Sequence, residues 1–268
     1  MSQVGSKERF NNIGITGAAG HIGSVLRKGL PHSYTITAFT LEPASFPSKV
    51  VDFSQPEQVQ GCFQGLEAVI HLAANPLAST PWKNVLKNNI DATYQVFEEC
   101  LRAGVKRLVF ASTNHVQNGE TMLTHPDTLD PNKKIRMKLS DPPNPDSLYA
   151  VSKLTAEHLG KLYSHPKLGL EFVGLRIGAT FTQDNPAIFI GTDMEDYMRA
   201  MFLSQRDCVQ AFRRALEVDL EGKGHFLLAY AISRNDRRVF DLEETEVNLG
   251  FHPVDNAENY FRKDHQQD

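Results

Sequence analysis

Cysteine is scarce in this chain. Three occur in 268 residues, Cys62, Cys100 and Cys208, and they are scattered. That distribution suits reduced thiols in a cytosolic protein and excludes a disulfide framework. The ten histidines include no H-E-x-x-H, and no C-x-x-C occurs, so no metal centre is expected. Hydrophobic residues never run to the length of a membrane span. Residues 1–9 are polar and hold no apolar stretch, so no secretory leader is expected and the expected compartment is the cytoplasm. Net charge is −4 with 22% charged residues, which marks no surface for nucleic acid or acidic membrane. No internal repeat and no low-complexity segment is present. What remains is a length sufficient to bury a sizeable core, as one α/β domain or a domain with a small cap.

Against that background two motifs stand out. The first is Thr16-Gly17-Ala18-Ala19-Gly20-His21-Ile22-Gly23. The residues before it, Asn12 to Thr16, read as a short buried strand, and His21 to Gly29 reads as a helix. Strand, glycine turn and helix are the context in which such a loop binds a dinucleotide pyrophosphate. Gly17 supplies an unusual backbone angle, Gly20 lets the main chain approach phosphates, and Gly23 lets the helix pack close to the sheet. The helix start then offers unpaired N–H groups and a positive dipole end. The spacing is G-x-x-G-x-x-G rather than the commoner G-x-G-x-x-G.

The second motif is Tyr149-Ala150-Val151-Ser152-Lys153. Tyr149 and Lys153 lie four apart on a predicted helix and share a face. An ammonium beside a phenol favours the phenolate, so the expectation is a Tyr149 pKa lowered toward the working pH, where general acid–base chemistry is efficient.

Between and beyond these motifs short apolar runs alternate with helical patterns. Residues 68–72, 107–111, 171–176 and 225–229 read as strands. Residues 82–103, 148–163 and 194–216 read as helices. Such alternation implies βαβ units and a mostly parallel sheet. Residues 117–147 break the rhythm. They hold five prolines, few apolar residues, and the basic cluster Lys133, Lys134, Arg136 and Lys138. A loop of that length is either a solvated surface segment or a lid that contacts an anion.

Glycine loop and Y-x-x-x-K in this order resemble the extended branch of the short-chain dehydrogenase/reductase superfamily, which includes the nucleotide-sugar epimerases and dehydratases. The resemblance implies an α/β fold: a Rossmann-type doubly wound parallel sheet with a small C-terminal substrate cap. Residues 1–177 would form mainly the NAD(P)-binding part, and 178–268 the cap with the final strand and helix elements, the whole integrated as one domain. It also implies roles for particular residues. Gly17, Ala19, Gly20, His21, Ile22 and Gly23 would cradle the pyrophosphate. Asp52, beside Phe53, would contact the adenine amino group. Leu72, Ala73 and Ala74 would line the adenosine side, Asn89 would support the active site, and Ile177 would complete the cofactor set. Lys153 would bond the nicotinamide ribose. Thr113, at the end of the 107–111 strand, would hold the substrate oxygen, with Ser112 as the fallback.

One position bears on cofactor choice. An acidic residue at the end of the second strand would bind the ribose 2′-hydroxyl of NAD, and a nearby Arg the 2′-phosphate of NADP. Here that place holds Thr40, with Glu42 two residues on and no Arg beside it. NAD is expected, and NADP is not excluded.

The runs Ala111-Ser112-Thr113-Asn114-His115-Val116, Leu175-Arg176-Ile177-Gly178, 202–207 and 249–253 narrow the resemblance to uronate dehydrogenases and haloarchaeal sugar and sugar-phosphate dehydrogenases. Those enzymes oxidise the anomeric carbon of a sugar to a lactone. Asn114, His115, Ala179, Thr180, Arg199 and Arg206 are the corresponding candidates for contact with a sugar. Two departures are visible: Tyr197 falls nearest the place of the uronate enzymes' Arg, and Ala179 replaces a Ser. Hexuronate, sugar phosphate and neutral aldose therefore all stay open. Two other readings compete: a nucleotide-sugar epimerase or dehydratase with tightly bound NAD, and a dinucleotide sensor without turnover. A homodimer through helices 82–103 and 148–163 is a further implication of the resemblance.

Overall fold

Seven strands form one fully parallel sheet in the order β3-β2-β1-β4-β5-β6-β7. In this computed structural model residues 9–119, 127–130, 132–133, 136–221 and 224–261 are described. The strands are β1 (Asn12–Thr16), β2 (Thr35–Thr40), β3 (Lys49–Val50), β4 (Ala68–His71), β5 (Arg107–Thr113), β6 (Glu171–Ile177) and β7 (Phe226–Ala231). The strand order reverses between β1 and β4. In open α/β sheets a crevice forms at that point beyond the carboxyl ends of the strands.

The central strands β5 and β6 are buried at every residue, as expected of strands covered on both faces. On one face α1 (His21–Gly29) packs Leu26 against Ile13, Ile15, Ala211 and Phe212. On the other, Phe39, Phe63, Phe97, Phe110 and Phe172 form an aromatic core beneath helices 92–103 and 148–163. Burial of this apolar area is the dominant stabilising term for such a sheet.

The helix expected over 82–103 is continuous but not uniform. After the short α2 (Pro56–Val59), α3 (Trp82–Val85) runs through a π-helical segment, Leu86–Asp91, into α4 (Ala92–Ala103). It ends on Gly104 in the left-handed conformation, φ 72°. α5 (Leu148–Tyr163) matches the expected 148–163 helix and is capped by Ser147, whose Oγ accepts from Ala150 N–H.

The helix expected over 194–216 is instead two, α6 (Glu195–Met201) and α7 (Gln205–Glu217). Periodicity missed the break because its cause is local hydrogen bonding. Ser204 Oγ accepts from Asp207 N–H and caps α7. The carbonyl of Phe202 leaves the helical ladder to accept from Ser233 N–H and Asn235 Nδ2. Residues 178–204 also bridge back to the sheet end, with Ala179 and Phe202 paired in parallel.

The chain after Gly178 thus serves two layers. Strand β7 and helix α7 belong to the sheet and its flanking layer. Residues of α6, the segment 232–242 and Met137 form a separate apolar cluster around Tyr197, Met201, Tyr230 and Phe240. The last helices are α8 (Glu243–Leu249) and α9 (Glu258–Phe261). The loop after β5 is pinned to this cluster: Met137 N–H donates to the Val239 carbonyl at 2.7 Å and the Met137 carbonyl accepts from Asp241 N–H.

Candidate active site

The reversal point of the sheet opens into a cleft of about 840 Å³, within the range of small-molecule sites. Its floor is the glycine loop. Gly17 has φ 66°, and a Cβ there would lie 2.9 Å from the Ala73 nitrogen. A Cβ at Gly23 would lie 2.6 Å from the Gly17 carbonyl oxygen, so the helix approaches the turn as closely as backbone allows. Helix α1 starts at Gly20 without any side-chain cap and without an acidic residue in its first turn. Its first amides are therefore open to an anion in the cleft. His21, on the same turn, buries Nε2 without a partner.

Thr16 fixes the opposite wall. Its Oγ1 accepts from the N–H groups of Leu72 and Ala73 at 3.1 and 3.2 Å and meets His71 Nδ1 at 2.7 Å. Two accepted bonds leave the hydroxyl proton for His71, whose Nε2 then faces Thr93 Oγ1 at 3.2 Å. Burial pushes the His71 pKa down to about 3, so this imidazole is a neutral strut.

Most residues expected at the cofactor line the cleft: Gly17, Ala19, Gly20, His21, Ile22, Gly23, Thr40, Asp52, Phe53, Leu72, Ala73, Ala74, Tyr149, Lys153 and Ile177. Burial works to raise the Asp52 carboxyl, but hydrogen bonds from Ser54 and Gln55 outweigh it and hold the group below its usual range. The Thr40 hydroxyl is taken by Ser48 Oγ at 3.0 Å. Asn89 does not line the cleft. It is buried behind it, with Oδ1 accepting from Asn75 N–H and Nδ2 donating to the Asn75 carbonyl and to Ser152 Oγ. Its neighbour Asn88 reaches the cleft instead. The π-helical segment sets this facing, and a helical wheel drawn at 3.6 residues per turn does not show it.

At the other end of the cleft β5 delivers Thr113 to α5. The Thr113 hydroxyl hydrogen-bonds the Tyr149 phenol and accepts from His115 N–H at 3.2 Å. Ser112 also lines the cleft, and its hydroxyl donates to Glu157 at 2.6 Å. Lys153 Nζ lies 5.7 Å from the Tyr149 ring centroid and donates to the Ala111 carbonyl at 2.7 Å.

The expected lowering of the Tyr149 pKa is corrected by this geometry. Burial pushes the phenol up to about 12, only partly opposed by the Thr113 hydrogen bond. Burial also pulls Lys153 down to about 7, despite its bond to the Ala111 carbonyl. Desolvation outweighs the pairwise attraction that the four-residue spacing suggested.

Asn114 and His115 follow Thr113 on a single 3₁₀ turn. Asn114 Nδ2 donates to the Tyr197 hydroxyl at 2.7 Å, and His115 Nδ1 meets Asp146 at 2.7 Å. Thr180 lines the cleft, and Ala179 is tied into the Phe202 bridge beside it. Arg199 and Arg206 are not brought to this place. Arg199 lies between Glu195 and Glu258 with its guanidinium over the Phe261 ring, and Arg206 pairs with Asp255 on the surface. Of the basic loop, Lys133 pairs with Asp127, and Lys134 lies outside the described residues.

The sequence profile of the NAD-dependent epimerase/dehydratase family matches residues 13–224. The chain belongs to that family. It is 40% identical to L-arabinose 1-dehydrogenase (NAD(P)(+)) of Haloferax volcanii over 252 residues, covering 91% of this chain and 97% of that protein. It is 34% identical to the NAD-dependent glucose-6-phosphate dehydrogenase of the same organism, covering 91% and 93%. Among solved structures, glucuronic acid dehydrogenase from Chromohalobacter salexigens superposes with a TM-score of 0.77 at 26% identity, covering 97% of this chain and 90% of that one. In this chain the glycine loop, Thr113, Tyr149 and Lys153 line one cleft.

Proposed function

We propose that this protein is an NAD(P)-dependent sugar dehydrogenase that oxidises the anomeric carbon of a small sugar (hexuronate, sugar phosphate or aldose) to a lactone. The observation that carries this reading is that Thr113, Tyr149 and Lys153 line the glycine-loop cleft together, with the Thr113 hydroxyl bonded to the Tyr149 phenol. The relatives named above are sugar dehydrogenases, which supports the same reaction class.

Tyr149 Oη takes the proton of the anomeric hydroxyl, while Thr113 holds that oxygen by hydrogen bond. The C1–H electron pair leaves as hydride and C1 becomes the lactone carbonyl. Oxidised NAD, when bound, supplies the hydride acceptor. Lys153 has its charge state set by burial, so a bound group that adds hydrogen-bond acceptors near Nζ would restore the ammonium. In this reading the glycine-loop amides would hold the dinucleotide's pyrophosphate and Asp52 its adenosine end, which their place in the cleft lining supports.

The test is turnover. Purified protein mixed with NAD or NADP and sugars from all three classes is expected to reduce the dinucleotide with at least one of them, NAD being the better acceptor. Dinucleotide that survives purification and shows no net reduction would overturn this in favour of an epimerase. Binding without any sugar-dependent turnover would leave a sensor.

A dimer through α3–α4 and α5 belongs to the same reading. Trp82, Leu86 and Tyr94 on the first, and Leu148, Val151 and Leu162 on the second, are exposed apolar side chains. Light scattering is expected to give twice the monomer mass, and a monomeric mass would remove the proposal. No helix among the described residues is long and apolar enough to cross a membrane.

A further inference from the structure

Resting on the dinucleotide-binding part of that reading, we infer that the side chain of His21 clasps the pyrophosphate as an imidazolium, so that dinucleotide binding takes up a proton at this residue. The glycine-loop amides are backbone groups and would be offered whatever side chain stood at position 21. The imidazole is a separate, titratable element of the same cleft, and it ties dinucleotide affinity to pH.

His21 is the first residue of α1 and lines the cleft beside Gly20 and Ile22. Because α1 has neither a side-chain cap nor an acidic residue in its first turn, nothing in its own sequence answers the positive end of its dipole. The ring itself is incompletely satisfied. Nε2 is buried with no hydrogen-bond partner among the described residues. Nδ1 also has no partner among them, but it is not buried. A neutral imidazole therefore leaves a polar atom unpaired on its buried side, whichever tautomer it takes. Burial lowers the pKa of the ring, and Asp184 works against that. Burial prevails, so the free protein carries His21 mainly neutral at neutral pH.

Asp184 comes from the segment that follows β6, of which Thr180 and Thr182 also line the cleft. It holds the left-handed conformation, φ 52°, and its Oδ1 accepts from Gln205 N–H at 2.8 Å at the start of α7. Burial raises its pKa and Asp255 and Asp207 add to this, while the Gln205 hydrogen bond and His21 oppose it. Asp255 is paired with Arg206, and Asp207 accepts from Ser233 Oγ and from the N–H groups of Val254 and Asp255. Asp184 is thus the carboxylate of this group that acts on the ring. The other ionisable side chains lining the cleft are Asp52, Tyr149 and Lys153. A pyrophosphate held by the α1 amides would bring a second anion to the same ring. An imidazolium has two donors for the two anions, and opposite charges at close range favour the charged form.

Isothermal titration calorimetry with NAD, in buffers of different ionisation enthalpy, reads both Kd and the protons taken up. It is run in wild type, His21→Gln and Asp184→Asn. NAD is the probe because the 2′-phosphate of NADP would itself titrate near about pH 6. Gln keeps a donor without a charge, and Asn keeps the acceptor for Gln205. A group whose pKa is raised by binding strengthens binding below that pKa, and the gain is lost as pH rises through it. Lys153, pulled down to about 7, takes up a proton of its own, so the assignment rests on the difference between wild type and His21→Gln. Between about pH 6 and about pH 8.5 the wild-type Kd is expected to rise by about tenfold more than that of His21→Gln, with the larger proton uptake in wild type. Asp184→Asn is expected to fall between the two. Equal pH dependence and equal uptake in wild type and His21→Gln overturn the inference and leave the dehydrogenase reading intact. NAD that does not bind wild type at any pH overturns the dinucleotide reading itself. If His21→Gln does not fold, Asp184→Asn carries the test, and uptake equal to wild type overturns the inference.

Discussion

Tyr149→Phe is expected to lower kcat by about 10³-fold while leaving dinucleotide affinity within a factor of a few. The phenyl ring keeps its shape and its edge contact with His115. Only the hydroxyl that meets Thr113 is lost, and with it the group that receives the substrate proton. Stopped-flow reduction of the dinucleotide with the preferred sugar measures the first quantity, and fluorescence titration of the dinucleotide the second. A variant within tenfold of the wild-type rate would remove Tyr149 from the chemistry. The pKa positions sharpen the expectation. With the phenol pushed up to about 12 and Lys153 down to about 7, the chain alone does not hold a phenolate at neutral pH. Turnover must therefore rise with pH over the neutral-to-alkaline range, since only the ionised phenol accepts a proton. A rate that falls over that range would contradict the assignment.

Much of this site is legible in the amino-acid sequence. The glycine loop follows from backbone demands, Tyr149 and Lys153 from spacing on one helix face, and Asp52 and Thr113 from the family resemblance; all of them line the cleft. What sequence patterns could not carry were competitions settled in three dimensions. Arg199 and Arg206 carry the right charge for anion recognition, but Glu258 and Asp255 come from the last 15 residues of the chain and claim them. Asn89 and Asn88 are adjacent in sequence, and only the π-helical segment decides which one faces the cleft. The four-residue spacing of Tyr149 and Lys153 announces their proximity but not their desolvation, and desolvation reversed the expected pKa direction. The break between α6 and α7 follows the same logic: apolar periodicity runs through it, while Ser204 and Asp207 end one helix and begin another.

A buried polar network ties the reacting residues to the rest of the fold, and its removal has the largest expected effect on stability. Glu157 lies one helical turn after Lys153 on α5 and accepts from Arg176 Nε and Nη2 on β6 and from Ser112 on β5. Arg176 Nη1 donates to Gln117, whose side chain also accepts from the Tyr230 hydroxyl and donates to the Lys138 and Asp141 carbonyls. The arginine and glutamate side chains are only 4% and 3% exposed. Glu157→Ala leaves a buried guanidinium without its counter-charge and Ser112 without its acceptor. The expected cost is about 3–5 kcal/mol, read as a fall in Tm of roughly 6–20 °C for a domain of this size. Glu157→Leu combined with Arg176→Leu removes both charges and is expected to be more stable than Glu157→Ala, because no desolvated charge remains. The double variant should still turn over slowly, since Ser112 precedes Thr113 and the 138–141 loop hangs from Gln117. Equal Tm values for wild type and Glu157→Ala would show that the pair contributes nothing to folding, and the coupling from β6 through α5 to Thr113 would have to be abandoned.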